Sequence, residues 1–467
     1  MEMNSGSSQP RQNVRRKTLV SFVSSGALAA SLVALSSCSG GSSSSSTSAP
    51  TAVQSANAGN FTTTVFLGDS LTAGFQSGAL LDTAEVHGWA PLVAAQAKFG
   101  ITQALIAYPG APSVLQLGSP GPPPVITQVA GTTTGRTNPA SQVTDLAVPG
   151  ALLNDIANTV PLANPANAEQ QITQLVLGFP GLGVGQAWSQ ATFAVHANPT
   201  TIFLWAGNND ALIADTAGSP GAMTSLGDFT TQYTALIKEL TSKTSAHLVI
   251  GNIPDVTLVP YLTPAALVLA EYSAATGYPA GTLSALFGIS AGDFVNPEGL
   301  GEIAAILGGT QKTPVSDAGV LTAAEAATVQ ANVAAYNKVI AAQAAAAGAT
   351  LVDINALISN LAANGQTIGG YKGTTGFLGG FFSLDGIHPS NTGYAIVANT
   401  FIDAMNAGFK STIADVDLAT VAAADPLWPP NLAAKPAAAR PGAGLNALPA
   451  SAARSLNQIL WPDRLRR

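Results

Sequence analysis

The sequence predicts an α/β fold in which a central parallel sheet is covered by helices on both faces. Three observations carry this. Short apolar runs alternate with helical periods from Phe61 to about Ala424. The runs are continuously apolar rather than alternating, as strands buried on both faces are. Three of them lead directly into polar, glycine-containing tips, where ligands of such sheets bind.

The expected strands are Thr63–Leu67, Gln142–Val148, Thr201–Ala206, His247–Ile253 and Thr350–Ile354. Between them, Phe229, Tyr233, Leu236 and Leu240 recur at helical spacing, with Asp228 placed as a cap. Val329, Val333, Tyr336 and Ile340 repeat the spacing; Thr322 and Glu325 open that helix as a capping box and Gly348 closes it. A last helix is expected over Asn391–Asn406, with Tyr394, Ala398, Phe401 and Met405 on one face. Two stretches break the rhythm. Tyr108–Ala140 is rich in Pro and Gly and reads as a long loop, and residues 260–320 read as an insertion bordering the substrate site. From Asp425 onward a tail with seven prolines in 43 residues is expected to be disordered or loosely docked.

Composition narrows the class. The chain has 467 residues, 47 % of them apolar, enough to bury a sizeable core. Only 9 % are charged, well under the usual quarter, and small polar residues fill the surface, which suits an exported protein. Net charge is −7, and without residues 1–37 the balance is 14 basic against 24 acidic side chains. No basic patch is present, which argues against a nucleic-acid partner. The single cysteine excludes an intramolecular disulfide framework and a cysteine-based metal site.

That cysteine sits at a telling place. Arg15, Arg16 and Lys17 precede the apolar run Leu19–Leu35, and Leu35-Ser36-Ser37-Cys38 follows. A charged region, an apolar region and small residues describe a secretory signal over residues 1–37. The last four residues resemble the bacterial lipobox, which implies cleavage before Cys38, acylation of its thiol and attachment to a membrane. Two or three acyl chains hold stably where one is marginal. Ser39 at the next position, rather than Asp, would direct an enteric-type lipoprotein to the outer membrane of the cell envelope. Arg15-Arg16 leaves open whether export is general or by a twin-arginine route. Residues 38–60 read as a Ser/Gly-rich tether.

The chemistry lies at the strand tips. Gly68-Asp69-Ser70-Leu71 places a hydroxyl just past a buried strand; alone, it reads as a strand-to-helix turn with Ser70 as cap. Asp145-x-x-x-Pro149-Gly150 offers a glycine whose amide can approach a ligand closely, although alone it reads as an ordinary Pro-Gly turn. Gly207-Asn208-Asn209-Asp210 carries an amide side chain able to donate to an oxyanion, although such a run is also an ordinary turn. Asp385-Gly386-Ile387-His388 pairs an imidazole with a carboxylate three residues away, able to fix its tautomer. His87, His196 and His247 lack such company.

In this order the four blocks resemble the SGNH (GDSL) hydrolase family, over Phe61 to about Ile413. The resemblance implies a flavodoxin-like three-layer α/β/α sandwich and a serine esterase or lipase without metal or cofactor. It implies Ser70 as nucleophile, His388 as base and Asp385 as its orienting carboxylate. The Ser70 amide, the Gly150 amide and Asn209 would form the oxyanion hole. Asn252-x-Pro254-Asp255 and Tyr336-Asn337 are also similar to family features. Asp145 departs from the pattern, since members often carry Asn there. The ester substrate stays open: a lipid, a small ester or an acylated sugar. The competing expectation is a non-catalytic, surface-tethered binding or adhesion protein that retains the fold. An autotransporter arrangement is disfavoured, because no train of alternating strands follows Ile413.

Overall fold

Four parallel strands make the central sheet of the computed structural model, which describes residues 59–121, 124–178 and 187–433 together with Leu448 and Ala453. They are β1 (Thr64–Gly68), β2 (Thr201–Trp205), β3 (His247–Gly251) and β4 (Thr350–Val352), side by side in sequence order. Gly68 pairs with Trp205, Trp205 with Gly251 and Gly251 with Val352, so all four carboxyl ends lie in one row.

Strand side chains alternate between faces, and each face has its own partners. Phe66, Phe203 and Val249 point one way. They pack with Trp89 of α2 (Trp89–Ala97) and with Phe401 and Met405 of α9 (Asn391–Phe409). Phe66 and Phe203 stack at 4.6 Å, and Trp89 stacks on Phe401 at 3.9 Å. Val65, Leu67, Ile202, Leu204, Leu248 and Ile250 point the other way. There they meet Phe229 and Tyr233 of α6 (Leu226–Lys243) and Tyr336 of α7 (Ala323–Ala346). Burying each such side chain contributes about 1.5–3 kcal/mol, so the two helical layers hold the sheet together. The result is the expected three-layer α/β/α sandwich.

The helix signals were accurate at α7, where Thr322 and Glu325 form the capping box, and at α9, which extends three residues further than expected. At α6 the cap is Ser225, not Asp228: Ser225 Oγ accepts from the Asp228 amide, and the Asp228 carboxylate accepts from that hydroxyl in return. The expected strand over residues 142–148 is reduced to one parallel bridge between Phe66 and Asp145. Its pairing with β1 is confined to three bonds, of Phe66 with Thr144 and Leu146 and of Val148 with Gly68, before Pro149-Gly150 turns the chain away.

The long loop after β1 contains an antiparallel hairpin, Leu115–Ser119 with Val125–Gln128. Residues 260–320 form a small unit with a core of its own, including Val268, Phe287, Val295 and Ile303. The tail begins by docking rather than by drifting: Asp425 accepts from Thr392 at the start of α9, and Trp428 and Leu432 are buried. Cys38, the signal segment, most of the tether and nearly all of the tail beyond residue 433 lie outside the described residues. Among the described residues no helix is long and apolar enough to cross a membrane.

Candidate active site

Ser70 opens the one-turn helix α1 (Ser70–Ala73) at the carboxyl end of β1. The cap is Asp69, not Ser70: its carboxylate accepts the Leu71 amide at 3.0 Å, which leaves the serine hydroxyl uncommitted among the described residues. Gly68 is required by close approach, because a Cβ there would lie 2.6 Å from both the Trp205 carbonyl and Thr72 Oγ1. Burial pushes the Asp69 carboxyl up to about 6, against the lowering pull of the Asn208 amide and the Leu71 N–H.

Asn208 and Asn209 begin α5 (Asn208–Ala217) at the end of β2. Asn208 Nδ2 donates to Asp69 Oδ2 at 2.9 Å. Asn209 Nδ2 donates to the Ala151 carbonyl at 2.9 Å, tying it to the turn at Gly150. Gly150 has φ +83°, a conformation that favours glycine. Neither the Ser70 nor the Gly150 amide donates to another group among the described residues. Asp210 is structural: it accepts from the Leu153 amide and the Thr224 hydroxyl.

The Asp385–His388 loop is pinned to the segment that follows α1. Ser77 N–H donates to Ser383 Oγ at 2.8 Å and Gly78 N–H to Asp385 Oδ2 at 2.7 Å. His388 Nδ1 donates to the same oxygen at 2.9 Å, and the amides of Ile387 and His388 donate to Asp385 Oδ1. Burial alone would raise the Asp385 carboxyl; the His388 ring and these amides outweigh it and hold the group below its usual value. An ionised Asp385 keeps the proton on Nδ1 and leaves Nε2 as the acceptor. Nε2 has no partner among the described residues, so it is not hydrogen-bonded to Ser70. Catalytic hydrogen bonds often tighten only when substrate binds.

One cleft collects these groups. Its volume is about 50 Å³, and it is lined by Ser70, Asn208 and Asn209, and by Ile387 and Pro389, the neighbours of His388. The structure therefore brings together Ser70, Asn209 and the Asp385–His388 loop, with Gly150 one residue from Asn209's acceptor. The 260–320 insertion contributes no lining residue. The other family-like pairs serve the frame. Asn252 Nδ2 donates to Asp353, and Asn337 both donates to and accepts from the Ile253 backbone.

Gln190 escaped sequence reading. It starts α4 (Gln190–Ala197), is 1 % exposed, and grips Gly68 at both ends: Nε2 donates to the carbonyl and Oε1 accepts the amide, each at 2.9 Å. It accepts the Gly68 amide and shares the Gly68 carbonyl with the Val148 amide, where the residue 142–148 segment leaves β1. No motif marks it, because the interaction spans 122 residues. Asp145 is likewise buried, with Oδ1 on the Ala147 amide and Oδ2 without a partner among the described residues; burial pushes its carboxyl well above the usual value.

The GDSL-like Lipase/Acylhydrolase family matches residues 64–401. No curated protein matches the chain. Three solved structures are similar. LAE5, an alpha/beta hydrolase enzyme from the metagenome of Lake Arreo, has 14 % identity and TM-score 0.33, with 75 % of this chain and 96 % of that one covered. A mutant of an acetyl-xylooligosaccharide esterase from Geobacillus stearothermophilus has 11 % and 0.33, with 75 % and 96 % covered. An extracellular lipase from Streptomyces rimosus has 12 % and 0.31, with 74 % and 99 % covered. The family match runs from β1 through the Asp385–His388 loop into α9, and on it the chain belongs to the GDSL-like lipase/acylhydrolase family of carboxylic ester hydrolases.

Proposed function

We propose that the chain is a serine esterase or lipase acting through an acyl-enzyme, with Ser70 as nucleophile, His388 as base and Asp385 as the residue that orients it. The observation that carries this reading is the buried Asp385–His388 pair, whose flanking residues line the same cleft as Ser70 and Asn209. A serine hydroxyl is too weakly acidic to attack unaided, so His388 Nε2 takes its proton as Oγ bonds to the ester carbon. The carbonyl π pair moves to oxygen, where the amides of Ser70 and Gly150 and the Asn209 side chain receive it. Each such donor contributes about 3–4 kcal/mol in the transition state. Collapse expels the alkoxide, which leaves with the proton from His388. Water, deprotonated by the same imidazole, then releases the acid and restores Ser70.

The test is covalent labelling. A fluorophosphonate should label the purified protein stoichiometrically at Ser70, and Ser70→Ala should abolish both label and esterase activity. Absence of label on folded protein would favour the non-catalytic binding alternative instead.

The same reading places the enzyme in the cell envelope, tethered through acyl chains on Cys38. Its support is the sequence: a basic start, an apolar run and Leu35-Ser36-Ser37-Cys38. Metabolic palmitate should label the wild type, and Cys38→Ala should leave the membrane fraction. Equal fractionation without label would refute the anchor.

A further inference from the structure

The cleft beside Ser70 has a direction. Most of its lining residues leave the carboxyl ends of the four strands in spatial order, and Phe382, Ile387, Pro389 and Val397 join them from the His388 loop and α9. Ser70 follows β1; Trp205, Asn208 and Asn209 stand at the end of β2; Val256 and Val259 follow β3; Ile354 and Ile358 of α8 (Ile354–Asn364) follow β4. The cleft therefore runs across the strand row, a span of three strand spacings or about 14 Å.

Its chemistry changes along that span. The polar lining, Ser70, Asn208 and Asn209, is confined to the tips of β1 and β2, and no charged side chain lines the cleft. From Trp205 onward the walls are carbon. The Trp205 indole N–H is already spent on the Asn252 carbonyl at 3.0 Å, so that ring presents an apolar surface. Asn208 Nδ2 gives one N–H to Asp69, and its Oδ1, without a partner among the described residues, stands at the polar end with Ser70. A sugar lying in the far half would leave its hydroxyls buried without partners, which is unfavourable by several kcal/mol in total.

We infer that this cleft is an acyl-chain slot, that the preferred substrates are esters of medium-length fatty acids, and that Ile358 and Val259 form the end of the slot that sets chain length. The inference rests on the serine-hydrolase reading above. The acyl rather than the alcohol part occupies the slot, because the departing alkoxide must lie against His388. That ring packs on Phe75 at 4.6 Å, and only its neighbours Ile387 and Pro389 reach the slot's lining. The span of about 14 Å accommodates an extended chain of roughly ten carbons.

Monomeric p-nitrophenyl esters from acetyl to palmitoyl provide the test, with fluorophosphonate titration of Ser70 to count active sites. Expected is a kcat/KM that climbs up to three- to fourfold per added methylene, as burial of each one allows, and peaks between octanoyl and dodecanoyl. Lengthening the alcohol of alkyl acetates should produce no such climb. Ile358→Trp should lower the decanoyl-to-butyryl ratio of kcat/KM at least tenfold, and Ile358→Ala should move the optimum to longer acids; a ratio needs no correction for partly folded enzyme. A titratable Ser70 with acetyl esters preferred, with an alcohol-chain dependence instead, or with ratios unmoved in both variants overturns the slot and leaves the serine-hydrolase reading standing. Protein that neither titrates nor hydrolyses any ester overturns both.

Discussion

Asn208 Nδ2 donates to Asp69 Oδ2 at 2.9 Å across 139 residues of sequence, joining the cap of the Ser70 helix to the start of the helix that carries Asn209. Asp69 spends one oxygen on the Leu71 amide and the other on Asn208, so a single buried carboxylate sets the spacing between candidate nucleophile and candidate oxyanion donor. Asn208→Ala removes that tie and leaves Oδ2 unpaired. Stability should drop by about 1–3 kcal/mol, and kcat should fall more than KM rises. Urea unfolding and steady-state kinetics on the same preparation check both; unchanged kcat would mean the tie is not needed for alignment.

Asn209→Ala should reduce kcat by about 10²–10³ with a modest change in KM, as a donor engaged mainly in the transition state requires. A pure KM effect would show that the side chain only holds the Ala151 turn.

For Asp385→Asn the expected loss is double. Asp385 accepts four N–H groups, from Gly78, Ile387 and His388 backbone amides and the His388 ring. An Asn amide must place N–H₂ against at least one of these donors. The rate should fall by roughly 10³–10⁴, the scale for a wrong imidazole tautomer, and stability by about 1–3 kcal/mol. Full activity would remove Asp385 from the catalytic set.

Gln190→Leu should lower kcat about tenfold with KM nearly unchanged, because the loss is felt in the alignment of the Gly68–Ser70 turn. Gln190→Glu provides the contrast. A protonated Glu can still donate to the Gly68 carbonyl, whereas the carboxylate repels it, so this variant should lose activity relative to wild type as pH rises. Parallel pH profiles for wild type and Glu variant would argue that the clamp is dispensable.

Asp145→Asn should stabilise the protein increasingly as pH rises. The folded carboxyl is held well above its ordinary value of 3.8 by burial. The stability linked to its proton is therefore full below that value and is lost as pH climbs through the folded one. Asn keeps the acceptor for the Ala147 amide and never ionises. The difference between variant and wild type, measured by chemical unfolding at about pH 5 and about pH 9, should widen in the variant's favour. A constant difference would mean that Asp145 does not titrate in that window.

The sequence by itself determined the layer order and the chemically competent blocks. Continuous apolar strands, helical periods and the Thr322–Glu325 box are local patterns, and local patterns are read within a few residues of where they act. Gly68-Asp69-Ser70-Leu71, Gly207-x-Asn209-Asp210 and Asp385-x-x-His388 are legible for the same reason. What only the tertiary structure decided is contact at long range. The Gln190 clamp, the Asp69–Asn208 tie and the anchoring of the His388 loop on Ser77 and Gly78 join segments 122, 139 and about 306 residues apart. The strand expected at residues 142–148 shrank to a bridge at Phe66 and Asp145, and at Gly68 the distant Gln190 side chain accepts the amide and shares the carbonyl with the Val148 amide. The slot across four strand tips likewise exists only once the sheet order is fixed, since its walls come from turns that share no sequence signal.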